Sequence, residues 1–134
     1  MIKRKKSLGF TLLEALITVA IIGIISSLAY PSYVDFVVRS NRSEGLRELM
    51  RIANLQEQYY VDNRSYTSAM TDLGLGADPF VTENGHYSID ATVVNDTFTL
   101  VATAKGTQAS KDTSCGTISV TDTGKKTPAS YCWE

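Results

Sequence analysis

Three sets of side chains in this 134-residue chain are candidates for chemistry. The first is Glu14, the only side chain charged at neutral pH in a 21-residue apolar run from Phe10 to Tyr30. A carboxylate held in hydrocarbon costs roughly 2.5–3.5 kcal/mol or more unless a partner neutralises it. The nearest candidate partner is an amino group, which a cut before Phe10 would create. The second set is Cys115 and Cys132, whose spacing fits neither a C-x-x-C redox motif nor a zinc pattern. The third is the series Arg39, Arg42, Arg47 and Arg51, which invites a nucleic-acid reading. At about 100° per residue these arginines spread over more than one helix face, and acids interleave them. A solvated, salt-bridged face is therefore the expectation. The lone His86 has no ligand cluster in sequence, so neither a metal nor a cofactor is expected. No nucleophile motif, phosphate-cradling glycine loop or paired set of metal ligands is present, and the chain does not read as an enzyme.

The element that must carry Glu14 is the apolar run itself. At about 1.5 Å per residue, a helix from Phe10 to Tyr30 spans a roughly 30 Å hydrocarbon core. Upstream, Lys3-Arg4-Lys5-Lys6 sets four cations on one side. Such a block holds its own side in the cytoplasm and sends the remaining chain across the membrane. The cysteines then face an oxidising compartment, where a structural disulfide is the default. An ordinary secretory signal or simple anchor is the plain alternative, since Ser27-Leu28-Ala29 resembles a small-residue cleavage site. A secretory apolar region is about 7–15 residues long, however, and this run is longer and carries an acid near its start. Residues 1–9 hold four of the 13 cations and none of the 14 acids, so residues 10–134 carry nine against 14, a charge of −5. A broadly basic nucleic-acid binder is not what that balance describes, and direct nucleic-acid binding is not expected.

Beyond the run, Pro31 lacks a backbone donor and crowds the carbonyl of Ser27. Gly23, Ser26 and Ser27 are weak helix formers, so residues 23–31 read as a soft section of an otherwise good helix. From Ser32 to about Tyr60 the pattern is amphipathic, with Leu46, Leu49, Met50, Ala53 and Tyr60 on the apolar face. Asp35 with Arg39, Glu44 with Arg47, and Glu48 with Arg51 have the spacing of helix-surface ion pairs. Residues 64–84 read as an irregular connection with one short helical turn near residues 68–73. Period-two alternation starts after His86: Tyr87, Ile89, Ala91 and Val93 face Phe98, Leu100, Ala102 and Ala104 across an Asn95-Asp96 turn. A third strand over residues 117–121 adds Ile118 and Val120 to the same face. One long helix followed by a small antiparallel meander makes the fold class α+β.

The leader ending in Gly9, then Phe10-Thr11-Leu12-Leu13-Glu14 and an apolar helix, resembles the class III signal of type IV prepilins. That resemblance implies cleavage between Gly9 and Phe10 by a prepilin peptidase, N-methylation of Phe10, and a role for Glu14 at the fifth mature position. It implies three regions: a leader at residues 1–9, a membrane and assembly helix at 10–31, and a periplasmic or extracellular pilin domain at 32–134. Gly23 and Pro31 match positions between which pilin helices soften in assembled filaments. Cys115 and Cys132 match the pair that bounds the family's C-terminal loop. Tyr30-Pro31-Ser32-Tyr33, the segment from Arg39 to Gly45 and the ending Cys132-Trp133-Glu134 are similar to minor pilins of the PilE type. The implied function is a structural pilus subunit that helps prime assembly, in twitching motility, adhesion or DNA uptake. The implied partners are major and minor pilins, the peptidase, the inner-membrane assembly machinery and inner-membrane lipid. A major pilin, a type II secretion pseudopilin and an anchored periplasmic binding or enzyme domain are the alternatives.

Overall fold

The apolar run and the amphipathic segment fuse into one helix, α1, over Leu12–Asn63. The computed structural model describes Ile2, residues 6–128 and residues 130–134. Of the basic block, Lys6 is described, and Lys3, Arg4 and Lys5 lie outside the described residues. The chain divides into two compact units, one ending at Phe36 and the other Val37–Glu134.

In the first unit the apolar side chains stay outside. Leu12 is 79% and Leu28 74% exposed, and the most apolar 18-residue window has a mean hydropathy of 2.3 with none of it buried. This helix is long and apolar enough to cross a membrane. It continues through Gly23 and Pro31 without a break. Pro31 cannot donate to the Ser27 carbonyl. The Ser27 hydroxyl meanwhile donates to the Ile24 carbonyl at 2.7 Å.

The second unit holds five antiparallel strands in sequential order: β1 (Phe80–Val81), β2 (Tyr87–Val94), β3 (Thr97–Ala104), β4 (Thr117–Thr121) and β5 (Lys126–Thr127). β2 and β3 pair in the register Ile89↔Ala102 and Ala91↔Leu100, and β3 meets β4 at Leu100↔Val120 and Ala102↔Ile118. The two-residue turn between β2 and β3 has positive φ at both Asn95 (49°) and Asp96 (60°). That is the geometry of a turn whose twist matches its strands, and Asn and Asp adopt it at low cost. The three-strand meander expected from alternation is thus the centre of the sheet. The edge strands β1 and β5, two residues each, show no periodicity to read. A short helix, α2 (Gly106–Lys111), joins β3 to β4, and a 3-10 turn at Met70–Leu73 occupies the connection where a helical turn was expected.

The buried face of α1 differs from its expected apolar stripe. Arg42, Gly45, Leu49, Ile52 and Gln56 are the buried positions, at steps of three and four. Leu46 and Ala53 are partly buried beside them, while Met50 is 42% exposed. Leu49 and Ile52 join Met70, Tyr87, Ile89, Phe98, Leu100 and Ile118 in the core. Gly45 is there because the Tyr87 ring lies against it: a Cβ would stand 2.9 Å from a ring carbon. Of the ion pairs expected on this part of the helix, Glu48–Arg51 forms at 2.6 Å. Glu44 instead accepts hydrogen bonds from the Asn84 amide nitrogens.

Candidate functional site

Gly9 and Phe10 precede the helix, and the Phe10 side chain is 88% exposed. α1 starts at Leu12 because Thr11 caps it: the Thr11 hydroxyl accepts the Glu14 backbone N–H at 3.1 Å. Thr-x-x-Glu is the order of a capping box, and it sets Glu14 in the first turn, where a carboxylate meets the positive end of the helix dipole. Phe10 therefore lies just outside the helix rather than one helical turn below Glu14. The Glu14 carbonyl accepts the Thr18 hydroxyl at 2.8 Å. Among the described residues, the ion pairs are Arg42–Asp112 and Arg51–Glu48, and neither includes Glu14.

The other built feature is a buried polar cluster in the second unit. Arg42 holds Asp112 with two parallel hydrogen bonds, Nε to Oδ2 at 2.8 Å and Nη2 to Oδ1 at 2.6 Å. The Gln108 amide donates to the Tyr87 hydroxyl at 3.0 Å and to the Val38 carbonyl at 3.0 Å. Its own carbonyl oxygen accepts from Asn41 at 3.2 Å. Among the described residues no buried side-chain nitrogen or oxygen lacks a partner. The hydrogen bonds to Asp112 raise the Arg42 pKa above its already high ordinary value. Burial pushes the Tyr87 phenol up in the same direction. Arg42 is thus no member of a solvated arginine face, because Asp112, 70 residues away, makes its burial tolerable. No local spacing rule exposes that partner.

Asp112 also leads into the C-terminal site. Its carbonyl accepts the Cys115 N–H at 3.2 Å, and Cys115 is bonded to Cys132 with a Cα–Cα separation of 5.6 Å. Both cysteines are fully buried. The loop they close carries β4, β5 and the start of a last 3-10 turn, Ser130–Trp133. Beside it runs a groove of about 470 Å³, lined in part by Arg47, Met50, Arg51, Asn54, Lys126 and Trp133. The Lys126 ammonium stands 5.0 Å from the Trp133 ring centre, and the indole N–H donates to the Thr127 carbonyl at 3.4 Å.

Residues 31–119 match a family model described as "Type IV minor pilin ComP, DNA uptake sequence receptor", and residues 4–30 match the prokaryotic N-terminal methylation motif. The chain belongs to the type IV pilin family. The pilin is 33% identical over 129 residues to the fimbrial protein EcpC of Eikenella corrodens, covering 94% of this chain and 80% of that one. It is 29% identical over 98 residues to the type IV major pilin protein PilE1 of Neisseria gonorrhoeae, 73% of this chain and 54% of the relative. With the type II secretion system core protein G of Vibrio cholerae it shares 32% identity over 75 residues, 56% of this chain and 50% of the relative. The matches thus span about half the length of the last two proteins.

Membership makes the pilin a structural subunit that is anchored in a membrane by its apolar helix and then assembles with other pilins. The fold agrees with the resemblance: one long helix, an antiparallel sheet and the Cys115–Cys132 bond. Thr11 is the functional-site residue that sequence inspection passes over, although Thr11-x-x-Glu14 ahead of an apolar run is itself a helix-start signature.

Proposed function

We propose that this protein is a minor pilin, cut between Gly9 and Phe10, methylated on Phe10 and incorporated into a type IV pilus after helping to prime its assembly. The observation that carries the reading is the pair of adjoining matches, a methylation motif over residues 4–30 and a minor-pilin model over residues 31–119. Before assembly the helix over residues 10–31 crosses the inner membrane once, with the basic leader cytoplasmic and residues 32–134 in the periplasm. Prepilin peptidase removes the leader, and the inner-membrane machinery then moves the subunit from lipid into the filament. Both surroundings bury apolar surface, so packing and register drive the transfer. The new Phe10 amine pairs with Glu14 of an adjacent subunit, which neutralises a buried charge on each helix and fixes their stagger. Residues 23–31, weak in helix propensity, unwind there at low cost. Intact mass and N-terminal chemistry of the protein from shed filaments test this. N-methyl-Phe10 at the start is expected; a mature chain starting at Tyr30, or an uncut chain in cells with active peptidase, overturns it. Its abundance relative to the main subunit separates a minor from a major pilin.

DNA uptake is the pilus job favoured by the family model's description. The groove supports it locally despite the acidic total charge, because Arg47, Arg51 and Lys126 line it together with Trp133, and Lys126 lies over the indole. Three phosphate contacts predict a slope of about −2.7 in log affinity against log salt for a duplex, and Arg47→Ala lowers its magnitude by about 0.9. Binding whose strength and salt slope ignore Arg47→Ala and Lys126→Ala removes the groove from the reading.

A further inference from the structure

Aromatic side chains are absent from residues 11–29 and bracket that run: Phe10 lies at one end, and Tyr30, Tyr33 and Phe36 at the other. The three far-end rings are 72%, 65% and 71% exposed. At positions i, i+3 and i+6 they fan across about 120° of the helix surface. Ser32 and Asp35 stand between them, and Asp35 is the first residue after Glu14 with a side chain that is charged at neutral pH. Counted at the helical rise from the start of α1 at Leu12, Tyr30 lies about 27 Å along the axis, close to the thickness of a hydrocarbon core. A tyrosine has an apolar body and a polar tip, and such rings are enriched where acyl chains give way to headgroups.

We propose that Tyr30, Tyr33 and Phe36 form a lipid-facing girdle that sets the depth at which α1 leaves the bilayer before assembly. The partner is the glycerol and headgroup layer of a phospholipid membrane. Tyrosine hydroxyls bond to lipid ester and phosphate oxygens while the rings cover the upper acyl chains. The depth is bounded in both directions. Sliding the helix inward drags Asp35 toward hydrocarbon, and sliding it outward brings Ile24, Ile25 and Leu28 into water. Phe10 occupies the corresponding layer on the other side, so the run carries an aromatic mark at each end.

This inference rests on the membrane-anchored reading of the pilin, and the experiment separates the two. The full chain is reconstituted in phosphatidylethanolamine–phosphatidylglycerol vesicles containing lipids brominated near the headgroup end or near the chain end. Tyr33→Trp is read with Trp133 retained, and the wild type serves as the blank. The expected result is a greater loss of the added fluorescence with bromines near the headgroup end. Ile21→Trp, halfway along the run, is expected to show the opposite order. With Phe36→Trp as reporter, joint Tyr30→Leu and Tyr33→Leu replacement is expected to shift the strongest quenching toward the chain end. The girdle is overturned if the indole at Tyr33 is quenched mainly by chain-end bromines. It is also overturned if that indole escapes all bromines, as a protein-covered face would, while the one at Ile21 is quenched. If neither is quenched, the membrane-anchored reading falls with it.

Discussion

Two stretches of the same helix treat their apolar residues in opposite ways. Between Leu12 and Phe36 the large side chains are exposed, Leu16 at 59% and Ile24 at 66%, whereas Leu49 and Ile52 have no exposure at all. The polar residues are reversed too. In the second unit Arg42 and Gln56 are buried with hydrogen-bond partners, Gln56 exchanging bonds with both the N–H and the carbonyl of Thr67. One region finishes its packing within its own chain. The other presents a surface that only lipid or other helices satisfy, and Glu14 stands in it without an ion-pair partner among the described residues. Substitutions in the first region should therefore act on assembly, and those in the second on folding.

The largest expected effect tests the first half of that contrast. Glu14→Ala should leave cleavage largely intact and nearly abolish incorporation into pili, with Glu14→Gln in between, measured by immunoblots of cells and sheared filaments. Unfolding of the second unit should not change. Wild-type incorporation of the alanine variant would remove the pairing role. Next comes Arg42→Ala, which leaves the Asp112 carboxylate buried and uncompensated and should cost about 3–5 kcal/mol in urea unfolding. Replacing Arg42 and Asp112 together by Met and Leu should recover much of that loss, since an apolar pair leaves no orphan charge.

Cys132→Ser should lower stability by about 3 kcal/mol through the freed loop. Native periplasm-derived protein should contain no alkylatable thiol. The smallest effect concerns alkaline pH. Burial raises the Tyr87 pKa above its ordinary value near 10. The neutral phenol therefore contributes stability that is complete below pH 10 and is lost as pH rises through the folded-state value. The stability gap between wild type and Tyr87→Phe should narrow above pH 10 in unfolding titrations. A gap constant with pH would show that Tyr87 titrates alike in both states.

Much of this was legible in advance, for physical reasons that differ by element. Strand alternation from Tyr87 to Ala104 survives because each side chain's direction follows from its own backbone position. The Asn95-Asp96 turn is legible for a similar reason, since those residues tolerate positive φ. Helix α2, Gly106–Lys111, has no apolar stripe to announce it. Its one buried side chain, Gln108, is polar and meets its partners from elsewhere in the fold. The buried face of α1 was misread at Arg42, Gly45 and Gln56 because hydrophobicity cannot mark positions filled by a paired arginine, an absent side chain and an amide. At the N-terminal end, Phe10 and Glu14 were legible as types and spacing, while the Thr11 cap that moves Phe10 outside the helix lay unnoticed between them.

The Cys115–Cys132 bond has a consequence for how the chain meets proteases. It converts the final stretch of the chain into a closed ring, and the last turn hangs from that ring rather than from the backbone alone. A protease that nicks the exposed Thr123-Gly124-Lys125 tip would cut the polypeptide and release nothing, because both halves stay joined through sulfur. The damage would show on a reducing gel and be invisible on a non-reducing one. A filament built of such subunits would keep its surface after a cut at that tip.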